Sequence, residues 1–166
     1  MCAVAPAFSA QPARPPRWPA QPVITIRVDA PTAPPGAGAL VERALATGTR
    51  AADGRLVLQT TESEDDALVR VRFAQAGGID GEAAPRLDRA TGAISSAAVL
   101  IARDVAGDAL QPQIVIYLTA LHELGYVLGL PHTGAFDDIM YSFPPARRWG
   151  AVSRACRRRL RSSDDM

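Results

Sequence analysis

The stretch from Pro112 to Pro131 constrains the fold of this chain more than any other. It is a long, mostly apolar run that opens on a proline, whose missing N–H costs little in the first turn of a helix. It closes on Gly129, with Pro131 just beyond, which is how a helix is stopped. The spacing therefore predicts a helix from Pro112 to about Leu128. Upstream of it, strand and helix signals alternate. Val23 to Val28 is β-branched and alternating, hence a strand. Pro34-Pro35-Gly36 breaks the chain, and Leu40, Val41, Ala44 and Leu45 follow at helical spacing.

Asp53-Gly54 reads as a turn into a second strand, Arg55 to Thr60, and the acidic Glu62 to Asp66 as a solvated loop. Ala67 to Phe73 sets Leu68, Arg70 and Arg72 against Val69, Val71 and Phe73, a strand with one apolar face. Gly77 to Gly92 reads as a glycine-rich loop holding at most a short strand. Ile94 to Ala102 is almost continuously apolar and is expected to be a strand buried on both faces. Asp104 to Gln111 is a loop. Strands, one helix, more strands and then a long helix predict an α+β fold, a mixed sheet with helices packed on it.

Composition bounds what such a fold can be. At 166 residues the chain suits one domain. A content of 48% hydrophobic and 21% charged residues is ordinary for a globular protein. The net charge of +1 argues for neither nucleic acid nor an acidic membrane as partner. All 18 basic residues are arginine, which reads as a codon bias. No apolar run of about 18 residues exists, so no membrane span is expected. Cys2 and Cys156 allow one bridge or two free thiols, and neither belongs to a CxxC pair.

Nine of the fourteen prolines lie between Pro6 and Pro35. Residues 1–22 are accordingly expected to form a flexible Pro/Ala-rich segment. Gln11 to Pro22 reads as an extended linker interspersed with Arg14, Arg17 and Trp18. Met1 to Ala10 reads as the tail of a signal peptide or as a disordered leader. A single domain, residues 23–166, follows.

The end of the predicted long helix carries chemistry. It reads His122-Glu-Leu-Gly-Tyr-Val-Leu-Gly-Leu-Pro-His132, and Asp138-Ile-Met-Tyr141 comes shortly after. Positions 122 and 126 lie one helical turn apart on the same face. Glu123 is offset by about 100° around the axis. Gly129 tolerates the left-handed conformation a sharp reversal needs. These residues resemble the metzincin signature, His-Glu-x-x-His-x-x-Gly-x-x-His followed by a methionine turn. The chain is most similar to the matrixins, matching at His122, Glu123, Gly129, His132 and Met140.

The resemblance implies a zincin-like fold: a mostly parallel twisted sheet, two main helices, a methionine turn and a short C-terminal helix. It implies a secreted or cell-envelope zinc metalloendopeptidase, monomeric and acting on peptide or protein. One zinc ion held by His122, the residue at 126 and His132 would activate a water, with Glu123 as general base. Met140 would form an apolar floor beneath the metal. Substrate would lie antiparallel to an edge strand around Gly81 to Arg86, and Ser142 to Trp149 would wall the S1′ pocket. The family's structural-zinc histidines and prodomain cysteine switch have no counterpart here.

Tyr126 departs from the pattern, because the family has histidine there and this chain contains only two histidines. Catalytic zinc normally keeps three protein ligands, and a phenol with an ordinary pKa near 10 is a poor neutral one. Three readings of Tyr126 stand: a degenerate site that binds zinc weakly or not at all, a working site completed by Tyr126 or a carboxylate such as Asp137, and an inactivating substitution in an otherwise normal peptidase. Asp137 and Asp138 read more simply as turn formers. Tyr141 follows Met140 directly and takes no metal-binding role. Val152 to Arg161 suits the short last helix, its arginines forming a solvated face. Two functions follow as alternatives, a metalloendopeptidase with an atypical zinc site and a pseudoprotease that binds peptide in the retained cleft.

Overall fold

The computed structural model describes residues 15–19, 23–75, 80–108 and 110–142. Cys2, Cys156, the leader before residue 15, most of the Ser142 to Trp149 segment and the expected C-terminal helix lie outside the described residues. The chain divides into two compact units, Met1–Pro131 and His132–Met166.

The first unit is an α+β sheet-and-helix assembly. Its elements are β1 (Val23–Val28), α1 (Ala37–Ala51), β2 (Val57–Thr60), β3 (Val69–Ala74), β4 (Gly81–Leu87), β5 (Ile94–Ala102) and α2 (Gln111–Val127). The strands form one five-stranded sheet in the order β2-β1-β3-β5-β4. The β1–β2, β1–β3 and β3–β5 pairs are parallel, and β4 runs antiparallel to β5 along one edge.

Alternation within the strands decides which face is covered. Ile24 and Ile26 of β1, Val69, Val71 and Phe73 of β3, and Val99 and Ile101 of β5 are buried in one cluster with Val41 and Leu45 of α1 and Ile116, Ala120 and Leu124 of α2. Both helices therefore cover the same face of the sheet. The helix α1 meets this demand by burying Ala37, Val41, Ala44 and Leu45, the spacing of one helical stripe. It is entered through Gly36 at φ +78° and left through Asp53 and Gly54, both at positive φ, a conformation aspartate and glycine accept most readily.

The opposite face is open, and this corrects two expectations. Strand β5 is buried on one face only: Ala98 is exposed and Leu100 half-buried, because no described helix covers their side. A shallow groove across that face is lined by Leu100, Ala98, Arg70, Arg72, Glu82 and Arg86, among others. Glu64, in the acidic loop, bridges Arg27 and Arg70 at 3.6 and 3.3 Å. The second correction concerns Gly77 to Gly92, where the residues alone read as a loop with a short strand and a full seven-residue strand, β4, stands where the resemblance put an edge strand. Pairing with β5 supplies what its poor strand formers Ala83, Ala84 and Pro85 do not, and an edge is where a proline is tolerated.

Residues 15–19 of the proline-rich segment lie against this unit. The indole Nε1 of Trp18 donates to the carbonyl of Val127 at 2.7 Å, and Ile94 N donates to the carbonyl of Arg17 at 2.9 Å. Trp18 is half-buried against the core.

In the second unit, Thr133 and Tyr141 form a parallel bridge, and Thr133 N donates to the carbonyl of Met140 at 2.9 Å. Among the described residues no helix is long and apolar enough to cross a membrane.

Candidate functional site

The helix α2 places three of the residues singled out above. Its first turn holds Pro112, as expected, and its last turns hold His122, Glu123 and Tyr126. Neighbours along one face, His122 and Tyr126 touch edge to face, with ring centroids 5.1 Å apart and planes at 81°. Both are half-buried. Glu123, turned around the axis from them, is only 5% exposed.

The surroundings of Glu123 are unusual for a carboxylate. Its Oε2 is buried and has no hydrogen-bond partner among the protein atoms. Burial pushes its pKa above the ordinary value of 4.5; His122 works against that shift and Glu82 adds to it. A buried acceptor without a partner costs about 1–3 kcal/mol, more for a charged group, so such a residue is rarely left in place without a use.

The edge strand crosses the helix at this point. A Cβ built on Gly81, the first residue of β4, would lie 2.4 Å from Thr119 Cγ2 and 3.0 Å from both Cγ and Oε1 of Glu123. Glycine at 81 is thus what lets the strand backbone pass directly over the carboxylate. Thr119, one turn before Glu123, is itself buried. Sequence reasoning assigned nothing to Gly81 or Thr119. The only signal was a glycine at the head of a segment where substrate pairing was expected, and a glycine in a glycine-rich stretch does not stand out.

The reversal at the end of α2 is also as expected. Gly129 sits at φ +83°. Its N–H donates to the carbonyl of Tyr126 at 2.8 Å, and Leu130 N donates to that of Gly125 at 2.9 Å, the paired bonds of a glycine-terminated helix. His132 follows this turn in the sequence and is exposed.

In the second unit, Met140 is buried while Asp137 and Asp138 are exposed. Asp138 forms the turn: its carboxylate accepts from Met140 N at 2.8 Å and its carbonyl from Tyr141 N at 3.0 Å. The Tyr141 ring packs edge to face on Phe136, with centroids 5.4 Å apart.

The donor set falls short of an ordinary catalytic zinc shell. Among the described residues no group of three or more His, Cys, Asp or Glu side chains gathers to hold a metal ion. Burial, and then Glu123, raise the pKa of Tyr126 above its ordinary value of 10.0. The groove on the open sheet face is lined by none of the candidate catalytic or metal-binding residues, although Glu82, Ala84, Pro85 and Arg86 belong to the strand expected to pair with substrate. No family model matches the chain, and no curated protein sequence matches it.

Proposed function

We infer that this chain is a matrixin-like member of the metzincin peptidases, a metalloendopeptidase domain with Glu123 as general base and a zinc site made defective by Tyr126. Support comes from the sequence of elements and from the antiparallel edge strand, which begins within one residue's width of the expected base. The single observation that carries the reading is Glu123 itself. Its Oε2 is buried without a protein partner and its side chain lies beneath Gly81, the first residue of an edge strand whose outer backbone groups suit an extended peptide. A structural glutamate would gain from an arginine or a hydroxyl at that place; a base must be kept ready and unneutralised. The reading carries with it the zincin-like character of the sheet, a peptide or protein substrate, a monomeric state and a secreted or cell-envelope location.

Tyr126 favours a second reading, a pseudoprotease that keeps the peptide-binding edge without hydrolysis. A phenol in place of an imidazole leaves His122 and His132 as the remaining family-type ligands, one fewer than catalytic zinc normally keeps.

Metal content separates the two. The native chain and its Tyr126→His variant are purified, and zinc is measured by mass spectrometry beside peptide hydrolysis. The peptidase scaffold with a disabled site predicts about one zinc per chain and chelator-sensitive hydrolysis in the variant, both lost again on adding Glu123→Gln for hydrolysis and chelator for zinc. One zinc and cleavage in the native chain make Tyr126 compatible with catalysis. If neither chain binds zinc or cleaves, the metallopeptidase reading is wrong and a metal-independent peptide binder takes its place.

A further inference from the structure

The carbonyl groups in the last turn of α2 are satisfied in an unequal way. Those of Leu124, Gly125 and Tyr126 accept from Leu128, Leu130 and Gly129, all within six residues. The carbonyl of Val127, a residue with no exposed surface, accepts from Trp18 Nε1, 109 positions away. A buried carbonyl needs a partner, and here the partner is borrowed from the proline-rich segment.

Three consecutive residues of that segment each engage the same corner. The carbonyl oxygen of Pro16 lies so close over Gly129 that a Cβ there would sit 2.0 Å from it. The carbonyl of Arg17 accepts from Ile94, the fully buried first residue of β5. Trp18 then seals Val127. Prolines at 15, 16 and 19 limit the backbone freedom lost when the segment is held in this extended course. Gly129 is consequently required twice over, by its positive φ and by the strap that crosses it.

We propose that Pro16 to Trp18 form a strap that clamps the C-terminal end of α2, with Trp18 as a positioning residue for the reversal from which the chain runs to His132. The clamp itself rests on the observed contacts. Its consequence for metal binding rests on the metallopeptidase reading above. Loss of the strap frees the turn at Gly129 and Leu130 without unfolding the sheet, and a ligand delivered by that turn is then held less firmly.

The test uses the full chain with Trp18→Phe, which removes the N–H donor, and a core control, Val41→Ala, in the buried stripe of α1. Amide hydrogen exchange is followed at Gly129 and Leu130. Trp18→Phe is expected to speed exchange there roughly five- to tenfold, as loss of one hydrogen bond of ordinary net strength implies, with α1 amides unchanged. Val41→Ala is expected to leave Gly129 and Leu130 no more affected than α1. Should Trp18→Phe fail to fold, 3-benzothienylalanine at position 18 keeps the bicyclic ring and deletes only the N–H. Equal acceleration in α1 and at the turn in either variant would reduce Trp18 to core packing and overturn the clamp. In the Tyr126→His background, Trp18→Phe is expected to weaken zinc binding about tenfold, an effect of the size seen when supports of metal ligands are removed, and Val41→Ala to leave it unchanged. Unchanged affinity with Trp18→Phe overturns the positioning role. A Tyr126→His chain that binds no zinc defeats the metallopeptidase reading, while the exchange rates still decide the clamp.

Discussion

The two ends of α2 are closed by different means. At the N-terminal end the carboxylate of Asp108 accepts from the N–H groups of Leu110 and Gln111, each at 3.1 Å, a device contained within four residues. The side chains there face outward: Leu110 is 62% exposed, and Ile114 and Leu118 follow on the same ridge. At the C-terminal end the glycine reversal, the indole of Trp18 and the carbonyl of Pro16 converge from distant parts of the chain. That end also carries Glu123, whose buried Oε2 lacks a partner. The fold applies its restraint unequally along α2. A locally capped helix end frays easily, and fraying would let water reach an unpaired carboxylate. The end with the long-range clamp is the one that holds an electrostatic cost in place.

Gly129→Ala is the hardest blow to this contrast. Alanine at φ +83° is strained, and its Cβ would overlap the Pro16 carbonyl, which is backbone and has no rotamer to escape into. The expected loss is about 3 kcal/mol or more in urea unfolding, the strain of a left-handed residue compounded by the clash. A loss below about 1 kcal/mol would mean that the strap yields freely, and the two ends would then differ in appearance only.

How much of this was legible in the sequence follows from how far each contact reaches along the chain. Both limits of α2 were predicted within a residue or two, because Pro112, Gly129 and Pro131 act on their own backbone. The strand β1 and the inner face of β3 were predicted too, since alternation is a local pattern. The strap was not: Trp18 stood out as an aromatic in a proline-rich stretch, yet its partner lies 109 residues away and leaves no mark beside it. Nor was β4 legible from its residues, whose alanines and proline become a strand only through pairing with β5; only the family resemblance placed an edge strand there. At the site, the helical spacing of His122, Glu123 and Tyr126 was legible. The approach of Gly81 to Glu123 was not, because nothing in either segment records a close passage between two elements 42 residues apart in number.

Glu123→Gln sharpens the contrast by removing the charge the clamped end tolerates. Burial raises the folded-state pKa above the unfolded value near 4.5. Between those two values the folded chain holds a proton that the unfolded chain has released, so this group makes stability fall as pH rises, and its full penalty applies above the folded value. The amide cannot ionise. Glu123→Gln is therefore expected to be about 1–2 kcal/mol more stable than the native chain at pH 7, the scale set by an unpaired buried polar group, and nearly equal to it at pH 4. Parallel urea titrations across that range test the sign. A destabilised variant at pH 7 would show that the carboxylate is satisfied in solution, and the reason for restraining this end would disappear.

The smallest effect, and the one that tests whether the ends are independent, is Asp108→Ala. The carboxylate of Asp108 closes the turn that leads into α2, two residues before the N-cap Leu110, and removing it is expected to cost about 1 kcal/mol, as for a helix cap. The loss should stay local. Ile114 N donates to the carbonyl of Leu110 at 3.1 Å, so its exchange reports the first turn, and it is expected to quicken several-fold, in proportion to the cap's modest energy. Exchange at Gly129 and Leu130 should not change, since their bonds run to Tyr126, Gly125 and the strap's corner and none passes through Asp108. If the far end loosens as well, α2 opens as one cooperative unit and the strap restrains the whole helix. If only the first turn responds, the restraint is confined to the half of α2 that carries Glu123, where the unpaired carboxylate needs it.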